Sequence, residues 1–204
     1  MTWAEIGSVR LENEHVVLRP VVPDDREALR AIALDPDIWR YFVLRIDNDA
    51  DFDGFFDLGL RDAGAGTRVV YYIEDKLTGA AAGSMSFCSI MEKDGRLEIG
   101  WSWLGANARG KGINRWAKFL MMRQAFEEMG AQRVEFKTDR LNVQARHALV
   151  NIGAREEGTL RSFNPMPGGR RRDAVYYSVL AGEWPEVKAQ LLAGPKVVLA
   201  ELAT

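Results

Sequence analysis

Residues 97–114 constrain the fold more than any other part of the chain: the apolar run LEIGWSWLG passes through the turn ANARGKGIN into the longest helical pattern present. The first amides of a helix have no partner inside it and the helix dipole is positive there. Glycines that let the backbone come close therefore make such a junction an anion cradle. Arg109 and Lys111 add positive charge to this one. The structural alternative is a glycine-rich turn capped by solvated charges, and context has to separate the two.

The flanking segments supply that context. Residues 68–74, 80–91 and 96–104 read as three strands joined by turns at 75–79 and 92–95, an antiparallel meander. Upstream, residues 15–22 form a strand ending at Pro23, and Asp24, with Glu27 three residues on, caps a helix striped by Leu29, Ile32 and Leu34. A short helix spans 37–41, and Phe52, Phe55, Phe56 and Leu60 mark another over 49–63 that ends in Gly64-Ala65-Gly66. Downstream, a helix over 112–129 carries Trp116, Phe119, Leu120 and Phe126 on one side and stops at Gly130. A strand at 133–138, a short helix at 143–151, a closing pair of strands at 154–162 and 172–180 and a terminal helix at 183–193 complete the order. The prediction is α/β (α+β): a single domain over 1–204 with a mixed, mostly antiparallel central sheet of about seven strands flanked by helices.

Three phosphate motifs compete for the turn. Gly105, Gly110 and Lys111 fit the P-loop, but Gly112 stands where a Ser or Thr hydroxyl must meet magnesium. The dinucleotide fingerprint puts its third glycine at Arg115 and needs an opening βαβ unit in place of a meander. The third motif, R-G-x-G-x-[G/A], is met by Arg109-Gly110-Lys111-Gly112-Ile113-Asn114 except at its last place. Here the chain resembles the GNAT N-acetyltransferases, and most the branch that includes the ribosomal-protein alanine acetyltransferases. The resemblance runs from Leu18-Arg19-Pro20 to Glu183-Trp184 and is densest over 97–161, where Glu98-Ile99-Gly100-Trp101 precedes the cradle and Asn142 and Gly153 bound a later element.

The resemblance implies acetyl-CoA as cosubstrate. Its pantetheine arm would lie along Trp101, Ser102, Trp103 and Leu104, its pyrophosphate would sit on amides of Arg109, Gly110, Lys111, Gly112, Ile113 and Asn114, and Asn142 would add a contact. The branch often carries Ser three residues after that asparagine; Ala145 stands there, so a hydroxyl acid at that place is absent. The implied reaction is direct attack of a primary amine on the thioester in a ternary complex. The acceptor would be a peptide or protein N-terminal α-amine or a small-molecule amine. A non-catalytic acyl-CoA-binding module is the alternative.

Direct attack needs a neutral amine, a polarised carbonyl and a protonated leaving thiolate. Glu98, on the strand expected to pass the thioester, is the candidate general base, acting through a water; a charged surface residue is the other reading. Tyr176 and Tyr177 are adjacent on a strand and so face opposite sides; Tyr177 is the candidate acid, with core packing as the alternative. Trp101 and Trp103 share a face by the same period and line the acetyl pocket or pack in the core.

Charge and composition exclude other classes. The net charge is −2 and the basic residues are scattered apart from Arg170, Arg171 and Arg172, so no nucleic-acid footprint is present. That trio attracts an acidic substrate or the 3′-phosphate of CoA, or is solvated. No basic-then-apolar leader and no run of about 18 apolar residues occurs, so a cytoplasmic protein without a membrane partner is expected. Cys88 reads as a small core side chain, and His15 and His147 lack a metal-site pattern, so no metal is expected. Asp49, Asp51, Asp53, Gly54 and Asp57 follow a calcium loop until Leu60 replaces its final glutamate; an amphipathic helix explains them better. An exposed closing strand offers an edge for a homodimer.

Overall fold

The computed structural model describes residues 1–194. Its centre is one eight-stranded sheet in the order β1-β2-β3-β4-β5-β6-β8-β7, in which only the β5–β6 pair is parallel. The strands are β1 Leu11–Glu12, β2 Val16–Pro20, β3 Val69–Asp75, β4 Ala80–Met91, β5 Arg96–Leu104, β6 Arg133–Asp139, β7 Arg155–Pro165 and β8 Arg171–Leu180. The helices are α1 Trp3–Gly7, α2 Arg26–Ala33, α3 Pro36–Trp39, α4 Asp49–Gly64, α5 Ile113–Arg123, α6 Val143–Asn151 and α7 Trp184–Ala193. The elements read from periodicity are all present. The two-residue β1 raises the strand count to eight, and α1 is a further addition. Five residues are too few for a periodic signal, and α1 is held instead by a capping box, with Thr2 Oγ1 accepting from the Glu5 amide at 3.3 Å and the Glu5 carboxylate accepting from the Thr2 amide at 2.6 Å.

Two readings near α2 are corrected. Asp24 is not its cap: a 3-10 turn, Pro23–Asp25, precedes the helix, and Asp25 accepts from the Val22 amide at 2.8 Å while pairing with Arg19. Leu34 lies beyond the helix and is exposed.

Each sheet face carries its own core. Alternating residues such as Val134, Phe136, Val175, Tyr177 and Val179 pack against α5, α7 and α1. On the other face Leu29, Trp39, Phe52, Phe56 and Trp103 join α2, α3 and α4 to the sheet. β8 lies between β6 and β7, so β7, and not the last strand in the chain, forms the edge opposite β1. This edge is interrupted by register shifts and carries Arg155, Glu156, Glu157 and Arg161, features that discourage strand addition.

Candidate functional site

The site begins with a defect in a strand. Between Ser84 and Ser86 of β4, which pair with Trp103 and Gly100, β5 has one residue too many, and Trp101 takes φ +53. A bulge reverses the side-chain alternation beyond it. Leu97 and Ile99 therefore face α5, whereas Trp103 faces α3, its ring 5.6 Å from that of Trp39. The bulge also bends β5 away from β6: their ladder ends at Glu98↔Glu135, and Ile99 to Leu104 run on without a β6 partner. The two parallel strands splay, and the gap between them opens into a cleft of about 1190 Å³ that reaches α3, α6 and β7.

At the C-terminal end of β5 the chain enters the turn. Gly110 and Gly112 have φ +74 and +80, values that favour glycine, and a Cβ at Gly110 would point into open space. Gly112 is the N-cap of α5 with no side-chain cap, and the first helical bond runs from the Trp116 amide to the Gly112 carbonyl at 3.0 Å. The amides of Ile113, Asn114 and Arg115 thus have no helical partner, and Gly110, Gly112, Asn114 and Arg115 line the cleft, an arrangement that would suit a diphosphate. Ile113 itself is buried in the core and offers only its amide. Lys111 is exposed beside the turn.

Arg109 departs from the expected charge donor. Its Nη2 lies 2.9 Å from Asp35 Oδ2 and its Nε donates to the Leu104 carbonyl at 3.1 Å, so the guanidinium ties the turn to the cap of α3. Asn114 also has a local task, its Oδ1 accepting from the Lys118 ammonium one turn on. Lys118 is buried, and burial lowers its pKa to about 7. Its unfolded form keeps the proton up to the ordinary lysine range, so from about pH 7 upward the unfolded chain binds more protons and this penalty on the fold shrinks; below about 7 it is fully present. Lys118→Met should therefore melt higher than wild type at pH 7, and this advantage should narrow by about 2 kcal/mol at pH 9. Thermal unfolding at the two pH values checks it.

Deeper in the cleft lies Glu98, 7% exposed. Lys137 Nζ is 3.0 Å from its Oε2 and Ser89 Oγ donates to it at 3.3 Å. Burial works against the Lys137 charge, but Glu98 outweighs it and holds the ammonium above the ordinary lysine value. Gly100 makes room for this carboxylate: an added Cβ would stand 2.8 Å from Glu98 Oε1 and 3.0 Å from Cys88 Sγ. Gly100→Ala should lower kcat about tenfold while leaving the Kd for acetyl-CoA unchanged, as steady-state kinetics and calorimetry would read.

The cleft wall also includes Trp101, Ser102, Trp103, Leu104 and Asn142. Trp101 and Trp103 share a face and pack as well, Trp101 against Phe55 at 6.1 Å and beneath the Arg68 guanidinium at 4.9 Å. Asn142 caps α6, its Oδ1 accepting from the Ala145 amide at 3.1 Å.

Tyr177 is not brought to the site. Alternation along β8 sends it to the α5 face with Val175 and Val179, and its hydroxyl donates to Glu156 at 2.7 Å and accepts from Arg146 at 3.2 Å. Neither Tyr177 nor Tyr176 lines the cleft. The three arginines separate too: Arg170 pairs with buried Asp139, Arg171 donates to Ser162 across the β7–β8 hairpin, and Arg172 is buried in the cleft wall. The acidic stretch of α4 holds helices together, Asp53 binding Arg26 at 2.9 Å and Arg30 at 2.6 Å, and Asp57 binding Arg26. Sequence reasoning passed over Lys137, Lys118, Phe163 and Asn164, all of which line the cleft. Only Lys137 left a signal, as one of the polar members of the alternating strand RVEFKTD.

A splayed parallel pair with a glycine cradle on one strand's continuation is the architecture of an N-acetyltransferase. The chain belongs to the GNAT acetyltransferase family, whose domain matches residues 15–155. It is 29% identical over 178 residues to a Bacillus subtilis (strain 168) protein named "Putative ribosomal N-acetyltransferase YdaF", covering 84% of this chain and 94% of that one. Similar solved structures include a "putative acetyltransferase" from T. thermophilus, 34% identical with a TM-score of 0.81 over 91% of this chain and 96% of the other. A GCN5-related N-acetyltransferase from Brucella melitensis is 25% identical, with a TM-score of 0.84 over 91% and 85%. The family uses acetyl-CoA. No helix among the described residues is long and apolar enough to cross a membrane.

Proposed function

We propose that this chain transfers the acetyl group of acetyl-CoA to the α-amine of a peptide or protein N-terminus, by direct attack with both substrates bound in the cleft. The carrying observation is that the unpaired amides at the start of α5 and the buried carboxylate of Glu98 open on the same cleft. The similarity to a protein named for ribosomal N-acetylation supports a protein α-amine as acceptor.

Acetyl-CoA, when bound, supplies an activated acyl carbon. The cradle amides would hold its pyrophosphate, and the edge of β5 beyond Glu98, free of β6, presents backbone groups to its amide-bearing arm. Asn142 has its oxygen committed to the α6 cap, so a contact from it would come through Nδ2. Glu98, oriented by Lys137 and Ser89, would take a proton from the incoming amine through a water. As the N–C bond forms and the C–S bond breaks, that proton passes to the departing sulfur, with water as its carrier. The test is turnover: with acetyl-CoA and alanine-terminated peptides, free thiol should appear together with peptide heavier by one acetyl group. A chain that binds acetyl-CoA but consumes none with any peptide or small amine is a binding module instead.

A further inference from the structure

Arg172 is 8% exposed, yet its guanidinium makes no hydrogen bond or ion pair among the described residues, and its Nε is buried without a partner. Each neighbouring carboxylate is engaged elsewhere: Asp139 with Arg170, Glu98 with Lys137, Asp173 with Arg140 and the Ser162 amide. A buried charge without a counterion is costly to the fold, and the cost is offset if the counterion arrives with a ligand. Beside Arg172 in the β7–β8 ladder stands Asn164, which lines the same cleft and whose Oδ1 is also buried and unpartnered. A guanidinium that lacks an anion, next to a carbonyl that lacks a donor, matches a carboxylate with an N–H group close by.

The position favours the acceptor over the cofactor. Arg172 alternates with Ala174 and Tyr176, and Tyr176 pairs with Lys137, so Arg172 belongs to the sheet face of Lys137 and Glu98. The helix that carries the cradle packs on the opposite face, against Val175, Tyr177 and Val179.

We infer that Arg172 is a specificity-determining residue that binds a carboxylate of the acceptor, and that the preferred acceptor is an amine bearing such a group, as in a peptide with an acidic residue next to its N-terminus. This rests on the acetyl-transfer reading above. The test uses the full chain as wild type, Arg172→Met and Arg172→Lys, with the dipeptide amides Ala-Asp and Ala-Glu against Ala-Asn and Ala-Gln. Wild type should favour the acidic member of at least one pair about tenfold or more in kcat/KM, Arg172→Met should bring the pairs within about threefold, and Arg172→Lys should retain part of the preference. KM for acetyl-CoA should not change. Without ligand, Arg172→Met should melt at or above the wild-type temperature, because it removes an unpaired buried charge.

Absence of a preference in wild type overturns the inference, as does a lower melting temperature for Arg172→Met, which would mark a structural role. A raised KM for acetyl-CoA in Arg172→Met that is not seen with 3′-dephospho-acetyl-CoA overturns it in favour of the cofactor phosphate. If acetyl-CoA binds but no dipeptide is acetylated, the acetyl-transfer reading is what fails, and the inference built on it falls with it even where the melting arm holds.

Discussion

Gly110→Glu combined with Gly112→Glu should raise the Kd for acetyl-CoA at least about 100-fold, removing the heat signal in calorimetry. Two effects add. Both positions have positive φ, where a side chain other than Gly or Asn strains the turn by about 1 kcal/mol or more each, and both substitutions put a carboxylate where the cradle would receive a diphosphate. A control separates charge from strain: Gly110→Asn with Gly112→Asn keeps a residue that tolerates left-handed backbone, and should bind within about tenfold of wild type. Near-normal binding by the double glutamate variant would show that the cofactor lies elsewhere and would withdraw the cradle from the site.

Glu98→Gln should lower kcat about 100-fold or more while leaving the Kd for acetyl-CoA within about threefold, since a general base acts on the chemical step and not on cofactor affinity. The same substitution leaves the half-buried Lys137 ammonium beside a neutral amide, so it should also lower the melting temperature. The fold and the chemistry can be told apart with Glu98→Gln/Lys137→Met, which removes both charges. It should recover thermal stability and remain as slow as Glu98→Gln. Recovery of kcat along with stability would mean that Glu98 matters only as a partner of Lys137, and wild-type kcat in the single variant would remove it from the mechanism altogether.

Much of this architecture is written locally. Phe52, Phe55, Phe56 and Leu60 mark α4 because an amphipathic helix repeats at a fixed spacing, and the meander β3 to β5 is legible from period-two runs broken by turn residues. The glycines of the turn before α5 are legible as a place where the backbone can come close to an anion, because they carry no Cβ. The roles of Tyr177, Arg109 and Arg172 were not legible in this way. Each depends on a partner, or the lack of one, far along the chain: Arg109 meets Asp35, Tyr177 meets Arg146 and Glu156, and Arg172 keeps no carboxylate because Lys137, Arg140 and Arg170 occupy those nearby. Arg170 is only two residues away, yet its pairing with Asp139 exists only because β8 lies beside β6.

Seven strands and six helices in their order, the family and the glycine-rich turn could be read from the chain alone, because helix and strand periods and glycine backbone freedom are properties of short segments; α1 and β1 were too short to leave a period. The extra residue in β5 where the sheet opens, the place of β8 inside β7 and the set of charges that face the cleft emerge only once the chain is folded. Register and strand order arise from pairings between distant segments, and a one-residue change in register turns every following side chain to the other face.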